Sequence, residues 1–163
     1  MIKKIVLFCL MASLLSLPVS AISEAQKNAF SNNCISIKES LKTTQRMDAR
    51  TRVYLGGKFE TILTKFITPL NVKLVEKNIS NPGLIENQSS FAEMKAMFSS
   101  DFIRYQQSLE ELIGTDCEAE PEVFYNRLLV VRERRKLMGQ DVARLKRLTT
   151  DNVRLVAELR SKL

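Results

Sequence analysis

Residues 121–163 read PEVFYNRLLVVRERRKLMGQDVARLKRLTTDNVRLVAELRSKL. Phe124, Leu128, Val131, Met138, Val142, Leu145, Leu148, Leu155 and Leu159 recur there at helical spacings, and Gly139 is the segment's one glycine. Apolar residues on a three-to-four rhythm make one face of a helix. Pro121, flanked by Glu120 and Glu122, suits a first turn, where the missing N–H costs nothing and acids meet the positive end of the helix dipole. The spacing predicts one helix of about 40 residues, roughly 60 Å long. That exceeds what the other segments are expected to cover. Its distal part is therefore expected to extend from the rest, and a heptad-like seam suggests coiled-coil-like pairing with another chain. Arg135 and Asn152 interrupt that seam.

Working outward, Phe91, Met94, Phe98, Phe102, Tyr105, Leu109 and Leu112 mark a preceding helix. Ser90-Phe91-Ala92-Glu93 fits a capping box at its start, and Gly114 suits its end. Asn81-Pro82-Gly83 signals a turn. Leu55, Phe59, Ile62, Phe66 and Leu70, broadened by Leu63, Ile67 and Leu74, give a helical region over about 48–78. Gly56-Gly57 and Pro69 interrupt it, as turns or as kinks. Phe30, Cys34, Ile37 and Leu41 place a first helix over about 23–43. The 163 residues hold only five glycines and four prolines. The expected fold class is all-α, an antiparallel helical bundle with a long basic C-terminal helix.

The opening 21 residues have another character. Lys3 and Lys4 precede an apolar run from Ile5 to Leu17, followed by Pro18 and the small-residue ending Val19-Ser20-Ala21. This is the layout of a secretory signal peptide cleaved after Ala21, too short to span a bilayer. It implies a secreted or periplasmic protein. The expected organisation is a signal peptide over 1–21, a disulfide-tied bundle over 22–120, and a long basic amphipathic helix over 121–163.

Cleavage removes Cys9 and leaves Cys34 and Cys117. In an oxidising compartment the simplest outcome is one disulfide between them. It would close a loop of about 84 residues, worth on the order of 4–5 kcal/mol in the chain-entropy picture. The bond also constrains the path. With a hairpin around Pro82, a straight helix leading back from the level of Cys117 would leave Cys34 about 30 Å away, whereas bonded cysteines need Cα atoms within about 7 Å. A chain reversal near Thr43 to Asp48 is therefore expected.

Charge is concentrated. The full chain carries +7, and residues 127–163 alone hold eleven bases and four acids. Arg132, Arg134, Arg135, Lys136, Arg144, Lys146, Arg147 and Arg154 are the candidate binding residues, for a protein partner or a polyanion. An acidic stretch with Glu110, Glu111, Asp116, Glu118, Glu120 and Glu122 precedes them, so self-association is a further option.

Several chemistries are excluded. The chain has no histidine, which removes Ser-His-Asp and Cys-His triads and the usual zinc sites. It holds no phosphate-loop or dinucleotide fingerprint. Glu39-Ser40 resembles the glutamate–serine step of lytic transglycosylases, but the glycine-rich continuation is missing. Asn78-Ile79-Ser80 and Asn87-Gln88-Ser89 match glycosylation acceptors, relevant in a eukaryotic setting. No catalytic residue, metal, cofactor or small-molecule substrate is expected. The expected function is a non-catalytic interaction protein of the cell envelope that binds protein partners through exposed helix faces. Alternatives are an extracytoplasmic holdase-type chaperone, and a binder of anionic polymers or membrane surfaces using the basic helix. In composition and architecture the chain is similar to the Skp type of periplasmic chaperone, with no motif in common.

Overall fold

The computed structural model describes residues 22–161; the expected signal peptide lies outside them. The elements are α1 (Glu24–Asn32), α2 (Cys34–Thr61), a π-helical segment (Ile62–Ile67), α3 (Thr68–Glu76), α4 (Pro82–Gly114) and α5 (Pro121–Arg160). No strand occurs among the described residues, and none of their helices is long and apolar enough to cross a membrane. The expected all-α bundle with one disulfide is what forms.

From Cys34 to Glu76 the chain is one composite rod. Gly56 and Gly57 do not interrupt it; they lie inside α2. At Pro69 the rod adjusts instead of turning. Proline has no N–H to give to the carbonyl four residues back, and its ring crowds that carbonyl. The preceding turn widens into π-helix, with the Thr68 N–H donating to the Leu63 carbonyl. The wider turn shifts the apolar stripe by one residue. Ile67 is 1% exposed and Phe66 65% exposed, the reverse of the simple 3.6-residue expectation for Phe66.

The expected reversal at Thr43–Asp48 does not occur. α2 is unbroken through it, and the Cys34–Cys117 disulfide is nonetheless present with a Cα–Cα distance of 5.5 Å. The missing length comes from α4. That helix begins at Pro82, capped by the Asn81 side chain, which accepts from the Leu84 N–H at 3.2 Å. Ser90 lies inside it, so the expected capping box at 90–93 is not used. Eight added helical residues lengthen the descent by about 12 Å. The chain leaves α4 through an extended Thr115, which carries Cys117 further in the same direction. Together these close most of the expected gap. Polar contacts then keep the rod and α4 in antiparallel step. Asn71 donates to the Leu84 carbonyl and to Gln88, Lys95 pairs with Glu60, and Gln45 reaches Glu110.

α5 returns along α4. Arg127 Nη1 donates to the Glu111 carbonyl and Thr115 Oγ1 near one end; Asn87 donates to the Leu148 carbonyl near the other. A Cβ added at Gly83 would come within 3.2 Å of the Leu155 side chain, so the two positions face each other closely. The distal part of α5 therefore lies on this chain's own hairpin and does not project as a free arm. The expectation underestimated α4, which starts early enough to accompany α5 almost to its end.

The apolar interior has two parts. Near the disulfide, Tyr105, Leu109, Leu112, Phe124 and Val131 pack with Cys34 and Cys117. Towards the hairpin, Phe59, Ile67, Phe91, Phe98 and Leu145 pack together, with the Phe59 ring edge-on to Phe91 and Phe98. Of the two glycosylation-like asparagines, Asn87 is buried in the bundle, so only Asn78 is exposed.

Candidate functional site

The rod and α5 run side by side over α4, but they do not close on each other along their whole length. Near the disulfide α1, which precedes the rod, closes against α5: Phe30 packs on Phe124 with ring centroids 5.4 Å apart, and Lys27 pairs with Glu122 at 2.8 Å. The last link across is at Asp48. Its carboxylate accepts from Arg135 Nε and Nη2, both at 2.9 Å, and from the Tyr105 hydroxyl at 2.6 Å. Burial, then the Asp48 carboxylate, push the Tyr105 phenol well above its ordinary range, so it stays a donor. The same carboxylate raises Arg135 further. Beyond this strap, among the described residues, no hydrogen bond or ion pair joins 49–76 to 136–160.

Two pockets lie along the seam between the rod and α5, termed the central and distal lobes of one cleft. The central lobe has a volume of about 570 Å³. Leu55, Phe98, Phe102, Met138 and Val142 give it an apolar lining, and Arg52, Arg132, Arg135 and Lys136 stand around it. Arg52 lies over the Phe102 ring, 5.5 Å from its centroid, and its buried Nε has no hydrogen-bond partner. Gly139 lines the same lobe, and a Cβ there would meet nothing within 4 Å. The distal lobe, about 510 Å³, lies between Ile62–Lys73 and Thr149–Val156, with Phe66, Leu70 and Val153 as apolar lining and Lys65 and Lys73 beside them. The two lobes contain six cationic residues and one acid, Asp48, whose charge Arg135 already meets.

The eight bases singled out from sequence do not form one face. Arg132, Arg135 and Lys136 line the central lobe. Lys146 shares a heptad stripe of α5 with Arg132, Gly139 and Val153, which places it between the lobes. Arg134 donates to the Arg104 carbonyl at 2.7 Å. Arg144 and Arg147 stand on the α4 side, beside Glu93 and Asp151. Arg154 pairs with Glu158 at 2.6 Å and Asp151 at 3.7 Å. Arg52, Lys65 and Lys73 were missed because the charge imbalance in sequence lies wholly in the last segment. Their spacing along the rod with Leu55, Ile62 and Leu70 was the available signal.

Other candidates for chemistry point elsewhere. Glu39 is exposed and bonded to Lys42. Asp141 is buried between α4 and α5 beside Asp101; burial, then that second carboxyl, raise its pKa. Neither of the two lines the cleft. No cluster of three or more potential metal ligands occurs among the described residues. Comparison of the chain with protein-family models, with curated proteins and with solved structures finds no match in any of the three.

Proposed function

We propose that this chain is a non-catalytic interaction protein of the cell envelope, binding protein partners through exposed helix faces, with the open side of its bundle as the principal one. The observation that carries this reading is the cleft between the rod and α5: apolar inside, cationic at its edges, and left uncovered by the described residues. Helices laid into apolar grooves are a recurrent mode of recognition. Both walls here are rigid helices held by the core and the disulfide, so little ordering would be needed on binding.

The test is photo-crosslinking in cells that make the protein. A crosslinking side chain at Gly139 would face the central lobe; one at Gln107 would face outward on α4. The expected result is a discrete polypeptide adduct from position 139 and none from 107. A broad smear of adducts, with suppressed aggregation of unrelated unfolded proteins, would favour the holdase reading instead. Absence of any adduct, with steeply salt-dependent binding to anionic polymers, would favour the polyanion reading.

A further inference from the structure

We propose that the occupant of the cleft is an acidic amphipathic helix of about 25 residues, which would convert this open three-rod bundle into a four-helix one. The inference rests on the cleft's being a protein-binding surface, as argued above, and adds what binds there.

Three observations support the choice. The first is length. Lining residues on the rod run from Asp48 to Lys73, about 37 Å of helix, which a helix of some 25 residues matches. The second is shape. The rod and α5 face each other across both lobes, and each lobe is open on the side away from α4. A small amphiphile is normally buried over 70–90% of its surface, which a one-sided trough does not provide. A helix with one apolar face and one polar face fits it, keeping the polar face in water.

The third observation is charge. Arg132 and Lys136 line the α5 side; Arg52, Lys65 and Lys73 line the other. Acids flanking an apolar stripe would meet cations on both sides, as the charged edge positions of packed helices do. Arg52 adds a specific point, since its guanidinium lies over Phe102 at this lobe and pairs well with a carboxylate. A basic helix would meet like charge along both edges.

The test uses the purified, disulfide-bonded protein and three labelled 25-residue peptides. All share one composition of leucine and phenylalanine. The first carries them as a helical stripe flanked by glutamates, the second has lysines in place of the glutamates, and the third is the glutamate peptide scrambled to remove the stripe. Phosphatidylglycerol vesicles are a fourth probe. Gly139→Trp fills the central lobe without a clash at Cβ, and circular dichroism and thermal melting check that it folds. Arg132→Glu with Lys136→Glu reverses one edge.

The expected result is binding of the striped acidic peptide alone, weakened about tenfold or more by Gly139→Trp and by the double reversal. The reversal should also admit the lysine-flanked peptide. Equal binding of the scrambled or lysine-flanked peptide by the parent protein would overturn the proposal. So would acidic-peptide binding that Gly139→Trp leaves unchanged, or vesicle binding that it abolishes while no peptide binds. If the acidic peptide fails but the Gly139 adduct still forms, the occupant is wrong and the protein-binding reading stands. If both fail, both fall.

Discussion

The two ends of the bundle are built from the same helices and solve the packing problem differently. At the disulfide end α1, α2, α4 and α5 converge, Phe30 packs at a tilt on Phe124, and the Cys34–Cys117 bond ties the start of the rod to the exit of α4. At the hairpin end the rod and α5 both lie on α4 but leave a trough between them, with Phe66 and Val153 exposed. The facing sides of rod and α5 are covered where α1 is present and open where it is not. The hairpin end keeps its own buried core of Phe59, Ile67, Phe91 and Leu145 beneath that trough, so it can leave apolar surface open without loss of the fold. Asp48, Tyr105 and Arg135 mark the border between the two.

That contrast can be broken from the closed side. Replacing both Cys34 and Cys117 by serine should have the largest effect, a loss on the order of 4–5 kcal/mol for a loop of this size, read by chemical denaturation with and without reductant. A small loss would mean that α1 and the start of α2 are held by packing alone. Phe124→Ala, in the same cluster and fully buried, should cost about 3–5 kcal/mol through the cavity it leaves.

At the border, Asp48→Ala removes the acceptor shared by Arg135 and Tyr105. Leaving the buried phenol without a partner should cost about 1–3 kcal/mol, with faster amide exchange on the facing turns of α2 and α5. A cost near zero would show that the strap does not hold the two helices.

Asp141 sharpens the picture with an effect of opposite sign. Its pKa is raised in the folded protein, so folding favours the protonated form. The ionised group is then a burden at neutral pH, relieved as pH falls through the raised value and fully relieved below the ordinary carboxylate range near 4. Asp141→Asn should therefore be more stable than the parent at pH 7, by on the order of 1 kcal/mol, with the advantage shrinking as pH approaches 4. Denaturation curves at three pH values check both sign and trend. The smallest effect belongs to the open end. Phe66→Ser should change stability by no more than about 0.5 kcal/mol while lowering the retention of the protein on hydrophobic resin.

Much of this was legible in the chain itself. The helical rhythm around Phe98, Phe102, Tyr105 and Leu109, and its counterpart in α5, follows from 3.6-residue periodicity and needs no tertiary information. The cysteine pair was legible from count and spacing. What failed did so for local reasons with long-range consequences. Ser90 to Glu93 has good capping chemistry, yet Asn81 caps earlier, and eight residues of helix changed which levels of the bundle face each other. Phe66 was placed in the core because a regular helix puts it there, and the π turn before Pro69 moved it out. Half of the cleft was invisible because Arg52, Lys65 and Lys73 are ordinary rod cations until α5 is laid beside them.

The sequence by itself determined an all-α chain, the extent of its last helix, the pairing of Cys34 with Cys117 and the absence of histidine chemistry, because periodicity, breakers and residue inventory are local properties. Only the tertiary structure decided that the chain does not turn back near Thr43, that α5 lies along its own hairpin, and that the basic residues divide among a strap, a cleft edge and outer faces. Those depend on how far each helix travels before it meets its neighbour, and an error of two turns in one cap moves every contact beyond it.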